Sequence, residues 1–355
     1  MYEKLDQVEK KFYKRDFPLN VAIEVSNGCN LNCIMCNHDK LTRAKGVMDM
    51  ALYKKIIDEI ARENPATRVW LDFYGEPLLL QYKLYYMIRY AKERGLQNVC
   101  MNTNATLMTP EIADMLLDSD IDFISFDVYG FSKEVLESIS VGADRDAIYR
   151  HVEYFLQEKK RRGKTGMVAE IKVLELEQNR EEVQQILQCW REKGAWTTLR
   201  RPITWGGSVD DDVVTHKITT DRIACGYSVS LCAITQDGYV ATCAQDYDAE
   251  TIYGNVKQDS IRTIWAYRNH ALADHHLNHC WDKLPAVCQR CTDWSIIGEE
   301  RWDENGNPVK KNYRDDEKMI EGYYDEVIVY HPLLLLGADH PAGGGWDPSG
   351  NTRGA

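Results

Sequence analysis

Nothing in the sequence is apolar for long enough to cross a membrane. The longest aliphatic run is Leu333 to Leu336, against the roughly 20 residues that a spanning helix needs. The opening segment, MYEKLDQVEKKFYKRDF, is charged throughout, so neither a signal peptide nor a membrane anchor is expected there, and a cytoplasmic location is. Positive charge is also scarce. Lys and Arg number 43 against 55 Asp and Glu, a formal net charge of −12, which argues against the concentrated basic face that a nucleic-acid backbone requires. No internal repeat is visible. What is present, 44% hydrophobic and 28% charged residues over 355 positions, suits one large α/β domain with a smaller satellite.

A further absence is local. Cys29, Cys33 and Cys36 fall within eight residues of the stretch GCNLNCIMCNH, and no fourth cysteine follows nearby. A structural zinc site closes a tetrahedron with four ligands, so this group is a soft-metal site one ligand short, unless His38 completes it. The chain has 11 cysteines. In a reducing compartment, clustered cysteines point to metal ligands or catalytic thiols before disulfides. Three lie at 29–36 and six between 225 and 291, while Cys100 and Cys189 stand alone in a predicted strand and helix, where small buried hydrophobes are expected.

Between residues 20 and 200 strand-like and helix-like segments alternate. Strands are predicted at 21–26, 68–74, 98–104, 122–127, 168–174 and 196–201, and helices at 50–62, 81–94, 110–118, 131–139, 145–162 and 180–193. The basic end of the fifth helix, Lys159-Lys160-Arg161-Arg162, is expected to face water. Strict alternation implies parallel βα units and a partial (β/α)6 barrel with its chemistry at the C-terminal strand ends. After Trp205-Gly206-Gly207 the pattern changes. An acidic loop leads to two strand-like runs joined by Gln236-Asp237-Gly238, a hairpin signal, and a helix near 259–273 follows. The expected organisation is α/β: a helical lead-in over 1–17, the barrel over 18–204, a small α+β domain with the hairpin over 205–300, and an extension over 301–355 with a mobile tail from about 337.

Three thiolates after the first barrel strand suit a [4Fe–4S] cluster with one iron left open. CxxxCxxC at this place resembles the radical S-adenosylmethionine (radical SAM) superfamily, and the resemblance extends over roughly residues 18–295. It implies that the open iron chelates S-adenosylmethionine, whose reductive cleavage yields a 5′-deoxyadenosyl radical. Tyr74-Gly75-Glu76-Pro77 matches the family's Gly-Gly-Glu-Pro segment with Tyr for the first Gly, which places Tyr74, Gly75 and Glu76 beside the methionine ammonium. Met35 stands where the family usually has an aromatic against adenine. Asn102 and Asn104, in a Thr-Asn-Gly-like segment with Ala105 for the Gly, and Ser125 and Asp127 after the fourth strand are the implied ribose or carboxylate contacts. Lys172 and Glu170 on the fifth strand, and Arg200 and Arg201 on the sixth, are expected near the cavity, with at most one member of each pair pointing inward because strand side chains alternate.

The second cysteine group, C-x(12)-G-x(4)-C followed by C-x(2)-C, resembles the SPASM extension in its shortened, one-cluster form called Twitch, since no cysteine follows Cys291. This implies one auxiliary [4Fe–4S] cluster on Cys225, Cys243, Cys288 and Cys291; zinc on the same four thiolates is the alternative. Cys232 is a candidate hydrogen-atom donor or a core residue. His270, His275, His276 and His279 show no ligand spacing and are expected at the surface.

The family implies an enzyme abstracting hydrogen from a small-molecule substrate such as a sugar, aminosugar or cyclitol, with dehydrogenation of an alcohol ahead of epimerisation. An electron donor such as flavodoxin or ferredoxin is the expected partner. Modification of a ribosomal peptide is the rival, disfavoured by the short segment before Cys29, which leaves little room for a leader-recognition domain. A non-enzymatic zinc- or cluster-binding scaffold is the third reading.

Overall fold

The computed structural model describes residues 14–209, 213, 221–295 and 299–311. Most of the predicted lead-in, the acidic loop at 210–212 and the tail from about 337 lie outside the described residues. Six strands run parallel in chain order: β1 (Asn20–Ile23), β2 (Arg68–Trp70), β3 (Asn98–Thr103), β4 (Phe123–Asp127), β5 (Val168–Leu174) and β6 (Trp196–Arg200). They are the six predicted strands. Helices α1 (Met50–Glu63), α2 (Tyr82–Glu93), α3 (Pro110–Leu117), α4 (Lys133–Ile139), α5 (Arg145–Arg161) and α6 (Val183–Glu192) supply the crossovers.

Local chemistry explains the helix starts. Asp49, Ser132 and Asp144 each accept a backbone N–H at the first turn of α1, α4 and α5, and Thr109 precedes Pro110 at the start of α3, pairings that satisfy donors a helix leaves orphaned. The α1 stripe of Leu52, Tyr53, Ile56, Ile57 and Ile60 is buried against the sheet. At the basic end of α5, Arg161 pairs with Glu158, and Arg162 reaches Asp118 at 3.1 Å.

Alternation along β4 sorts its side chains by destination. Ile124 and Phe126 enter the helix-covered core, whereas Phe123 and Asp127 face the barrel interior.

The hairpin is less separate than the domain division anticipates. Its strands β7 (Leu231–Ile234) and β8 (Tyr239–Ala241), followed by β9 (Ile252–Asn255), continue the barrel sheet. β7 pairs parallel to β1, with Cys232 opposite Val21. At the other edge β10 (Glu299–Trp302) pairs antiparallel with β6, and β11 (Pro308–Lys311) closes that hairpin. Eleven strands thus form one sheet in the order β9-β8-β7-β1-β2-β3-β4-β5-β6-β10-β11. The predicted helix at 259–273 is α7 (Ile261–Arg268) continued by a π-helical turn, Asn269–Ala273.

Cys232 as hydrogen donor is corrected by this register. Together with Val21 it belongs to the helix-side core and is 1% exposed, while its neighbours Leu231 and Ala233 pack on the opposite side with Ala22 and Phe73. The strand alternation that places Leu231 inside places Cys232 outside.

Candidate active site

The loop after β1 carries the first three cysteines and is held on several sides. Glu24, fully buried, accepts both terminal nitrogens of Arg43 at 2.8 and 2.6 Å and the backbone N–H of Gln236 at 3.0 Å. Arg43 also donates to the Tyr247 carbonyl at 2.9 Å, tying the loop to the segment after the hairpin. Asn32 and Cys33 pair with Val141 and Ser140. His38 lies with Nε2 2.8 Å from the Asn27 carbonyl, so that nitrogen is committed to the backbone as a donor rather than to a fourth metal position.

Gly75 has a clear reason to be glycine. Its φ is +105°, and a Cβ there would lie 2.5 Å from the Ser26 carbonyl oxygen and 2.6 Å from that of Gly28. Glu76 N–H then donates to Gly28 at 2.7 Å. The buried Glu76 carboxylate accepts from Leu78 N, Thr103 Oγ1 and Asn104 N at 2.8–2.9 Å, so it joins the ends of β2 and β3; burial pushes it up to about 7.

Cys29, Cys33 and Cys36 open onto a cavity of about 270 Å³ at the C-terminal ends of the strands, with Met35, Tyr74, Gly75, Glu76, Asn102, Asn104, Asp127, Lys172 and Arg200 in its wall. A second cavity of about 260 Å³ lies further inside the barrel. The two share Asp72, Asn102, Lys172, Arg200 and Trp205 among their lining residues, so they form one two-lobed space. At the junction Asp72 accepts from Asn102 N and Nδ2 at 2.9 and 2.7 Å, Lys172 donates to Asn102 Oδ1 at 2.8 Å, and Lys172 pairs with Asp127 at 2.9 Å. Burial pushes the Asp72 carboxyl up to about 6, against the opposing pull of Asn102 and Lys172.

Three expectations need correction. Glu170 and Lys172 are two residues apart on β5, so alternation sends both inward. Arg200 and Arg201 both line the first cavity because β6 ends at Arg200 and alternation ends with it. His276 is not at the surface: it is 2% exposed and its Nδ1 accepts the Cys225 N–H at 3.4 Å.

Ser125 is buried outside the lining of both cavities and donates to Glu170 at 3.1 Å. Glu170 also accepts from Thr198 at 2.6 Å and pairs with Arg301 at 3.0 Å. Asp72 and Arg301 were absent from the residues singled out in the sequence. An Asp inside the apolar run RVWLDFY, two positions from inward-facing Trp70, is a signal for the first; Arg301 reaches the site only through the pairing of β10 with β6.

Both cysteine groups have the chemistry of iron–sulfur ligands. Burial pushes Cys33, Cys36 and Cys288 up to about 12 and Cys243 and Cys291 well above the ordinary thiol value, so as free thiols they stay protonated, and a metal is what makes such groups thiolates. Within the second group, the charge of Cys225 helps to raise Cys243, Cys288 and Cys291, so all three lie near it. Among the described residues no three His, Cys, Asp or Glu are gathered tightly enough for a single ion. Three thiols in the first group and four in the second are the donor chemistry that a [4Fe–4S] cluster takes.

A family model for the radical SAM superfamily matches residues 23–189, and one for the SPASM iron–sulfur cluster-binding domain matches residues 225–292. This chain carries a radical SAM domain followed by a SPASM iron–sulfur cluster-binding domain. It is an enzyme whose cofactors are [4Fe–4S] clusters and S-adenosylmethionine.

Among curated relatives, the tungsten-containing aldehyde ferredoxin oxidoreductase cofactor-modifying protein of Pyrococcus furiosus is 29% identical over 37% of this chain and 38% of its own length. This chain therefore spans well under half of that relative. The S-adenosyl-L-methionine-dependent 2-deoxy-scyllo-inosamine dehydrogenase of Niallia circulans is 22% identical over 80% of this chain and 96% of that protein. Among solved structures, BtrN in complex with AdoMet and 2-DOIA superposes with a TM-score of 0.56 at 19% identity, covering 79% of this chain and 94% of that one. SuiB of Streptococcus suis bound to its precursor peptide gives 0.58 at 13% identity, covering 74% and 68%. These structural likenesses show the fold. Among the described residues no helix is long and apolar enough to cross a membrane.

Proposed function

We propose that this radical SAM enzyme dehydrogenates an alcohol of a small hydroxyl-rich molecule of the aminocyclitol or aminosugar class. The observation that carries this reading is the inner lobe of the cavity. It lies inside the barrel, and Asp72, Asn102, Glu170, Lys172 and Arg301 bring hydrogen-bonding groups to it between Trp70, Phe73 and Phe123. Such a lining suits a compact polyol, whose hydroxyls need partners and whose C–H faces need apolar walls. The likeness to the 2-deoxy-scyllo-inosamine dehydrogenase, nearly end to end of that protein, supports the same class.

The residues divide the work. Cys29, Cys33 and Cys36 hold the first cluster, and Cys225, Cys243, Cys288 and Cys291 hold one auxiliary cluster. Met35, Tyr74, Gly75, Glu76, Asn102 and Asn104 border S-adenosylmethionine. Bound together, the first cluster and S-adenosylmethionine supply the radical that removes a hydrogen atom from the carbinol carbon. Asp72, at the junction of the lobes, takes the hydroxyl proton, with Asn102 and Lys172 orienting its carboxylate. The auxiliary cluster that Cys225, Cys243, Cys288 and Cys291 would hold would accept the remaining electron, leaving a ketone. A flavodoxin- or ferredoxin-type protein supplies the initial electron.

Peptide modification is the second reading, favoured by the likeness in fold to SuiB with its peptide. Anaerobic incubation of the reconstituted protein with S-adenosylmethionine, dithionite and 2-deoxy-scyllo-inosamine or related aminocyclitols separates the two. The expected product is lighter by two hydrogens, with one 5′-deoxyadenosine per product. No oxidised product across the panel, with a crosslink or epimer formed in a ribosomal peptide, would overturn the assignment.

A further inference from the structure

Trp205 belongs to neither cysteine group, yet it touches the loops of both. Its indole Nε1 donates to the Met35 carbonyl at 2.8 Å, one peptide bond from Cys36. On its other side the flanking backbone is gripped by Asp293: Thr204 N donates to Oδ1 at 2.6 Å and Gly206 N to Oδ2 at 3.1 Å. The Asp293 N–H in turn donates to Cys291 Sγ at 3.3 Å. From Cys36 to Cys291 the protein therefore offers covalent bonds interrupted by only three hydrogen bonds.

Aromatic rings lie alongside this path. The Tyr74 ring is 4.8 Å from that of Trp205 and 5.8 Å from that of Tyr247. Tyr74 is 3% exposed, and its hydroxyl has no hydrogen-bond partner within the protein. That isolation makes sense for a ring held for its π system. At this position the sequence departs from the Gly-Gly-Glu-Pro pattern, with Tyr in place of the first Gly.

The turn is held in a demanding shape. Trp205, Gly206 and Gly207 are consecutive left-handed residues with φ of 49°, 65° and 76°. A Cβ on Gly206 would meet Val287 at 2.8 Å, and one on Gly207 would meet the Arg290 carbonyl at 2.7 Å, so the turn presses against the helix that carries Cys288. Non-glycine residues adopt this conformation rarely, and the surrounding structure must enforce it.

We propose that Trp205, with Tyr74 packed against it, is the electron-transfer bridge between the two iron–sulfur sites. The step is one electron: the auxiliary site is oxidised, the first site is reduced, and no bond or proton moves. This rests on the two-cluster reading given above. It names the residues through which the sites exchange electrons and requires no particular substrate.

The test uses the full-length protein with both sites reconstituted and no substrate added. Each sample is photoreduced by one electron with a deazaflavin, and the two paramagnetic signals are followed by freeze-quench electron paramagnetic resonance. Iron content is measured first: a chain with one four-iron site defeats the two-cluster reading and the bridge together. With two sites present, Trp205→Leu is expected to slow electron exchange severalfold at unchanged iron content and midpoint potentials. Trp205→Phe, which keeps a ring and loses the indole N–H, should fall between. Exchange at the wild-type rate in Trp205→Leu overturns the bridge and leaves the two-cluster reading standing. Where Trp205→Leu fails to load iron, Trp205→Phe and Tyr74→Leu decide: slowed exchange in either supports the bridge, and wild-type rates in both overturn it.

Discussion

Asp72 shows how much one buried carboxylate can contribute. Its oxygens are occupied by Asn102, and burial pushes it up to about 6. Above that pH it is ionised and able to accept a proton; below it the group is already protonated. Product formation should therefore rise with pH through about 6 and level off, the behaviour of a single general base. Asp72→Asn keeps the shape and removes the acceptor. Ketone formation should be lost while 5′-deoxyadenosine is still released, and a profile in Asp72→Asn identical to wild type would remove Asp72 from the mechanism.

Cys232 carries the opposite expectation. It sits in the helix-side core, away from both cavities, so Cys232→Ala should cost only packing, about 1 kcal/mol, read as a small fall in Tm. Turnover in heavy water should leave no solvent deuterium on the reacting carbon.

At the scale of elements, α7 matters through its last residue. Arg268 is fully buried, and its guanidinium donates to the carbonyls of Thr242, Ser228 and Tyr227 at 2.7–3.3 Å. Tyr227 and Ser228 follow Cys225 closely and Thr242 precedes Cys243, so one side chain binds two cysteine-bearing loops together. Arg268→Met leaves buried carbonyls unpaired, each costing about 1–3 kcal/mol. The variant should lose about half its iron, the auxiliary share on the proposed stoichiometry, while retaining S-adenosylmethionine cleavage. Full iron content in Arg268→Met would show that the loops hold their places without it.

The turn after β2 makes a matching demand on the first site. Because a Cβ on Gly75 would collide with the carbonyls of Ser26 and Gly28, Gly75→Ala must displace the loop leading to Cys29. Its expected signature is lost iron at the first site with the auxiliary site intact.

For the whole molecule, the two cysteine groups should be separable. Replacing Cys29, Cys33 and Cys36 together by Ala should remove about half the iron and all S-adenosylmethionine cleavage, since the proposed auxiliary cluster is fully ligated by protein. Replacing Cys288 and Cys291 should spare slow cleavage and abolish ketone formation. One zinc lost with those two cysteines, in place of iron, would be incompatible with the auxiliary cluster.

Much of this arrangement was legible in the sequence because it is local. Six strand–helix alternations follow from hydrophobic periodicity and caps such as Asp49 and Asp144, which depend on neighbours a few residues away. The cysteine spacings and the Gly75-Glu76 pair are readable for the same reason. Tertiary structure alone decided what depends on register and long-range pairing. Pairing of β7 with β1 turned Cys232 away from the cavity, a one-residue choice of face that composition cannot signal. Pairing of β10 with β6 delivered Arg301 to Glu170 across more than a hundred residues. The end of β6 at Arg200 let both arginines reach the cavity wall. And the placement of Trp205 between Met35 and Asp293 arises only when the barrel and the cysteine-rich segment fold onto one sheet, because the contacts that create it lie far apart in the chain.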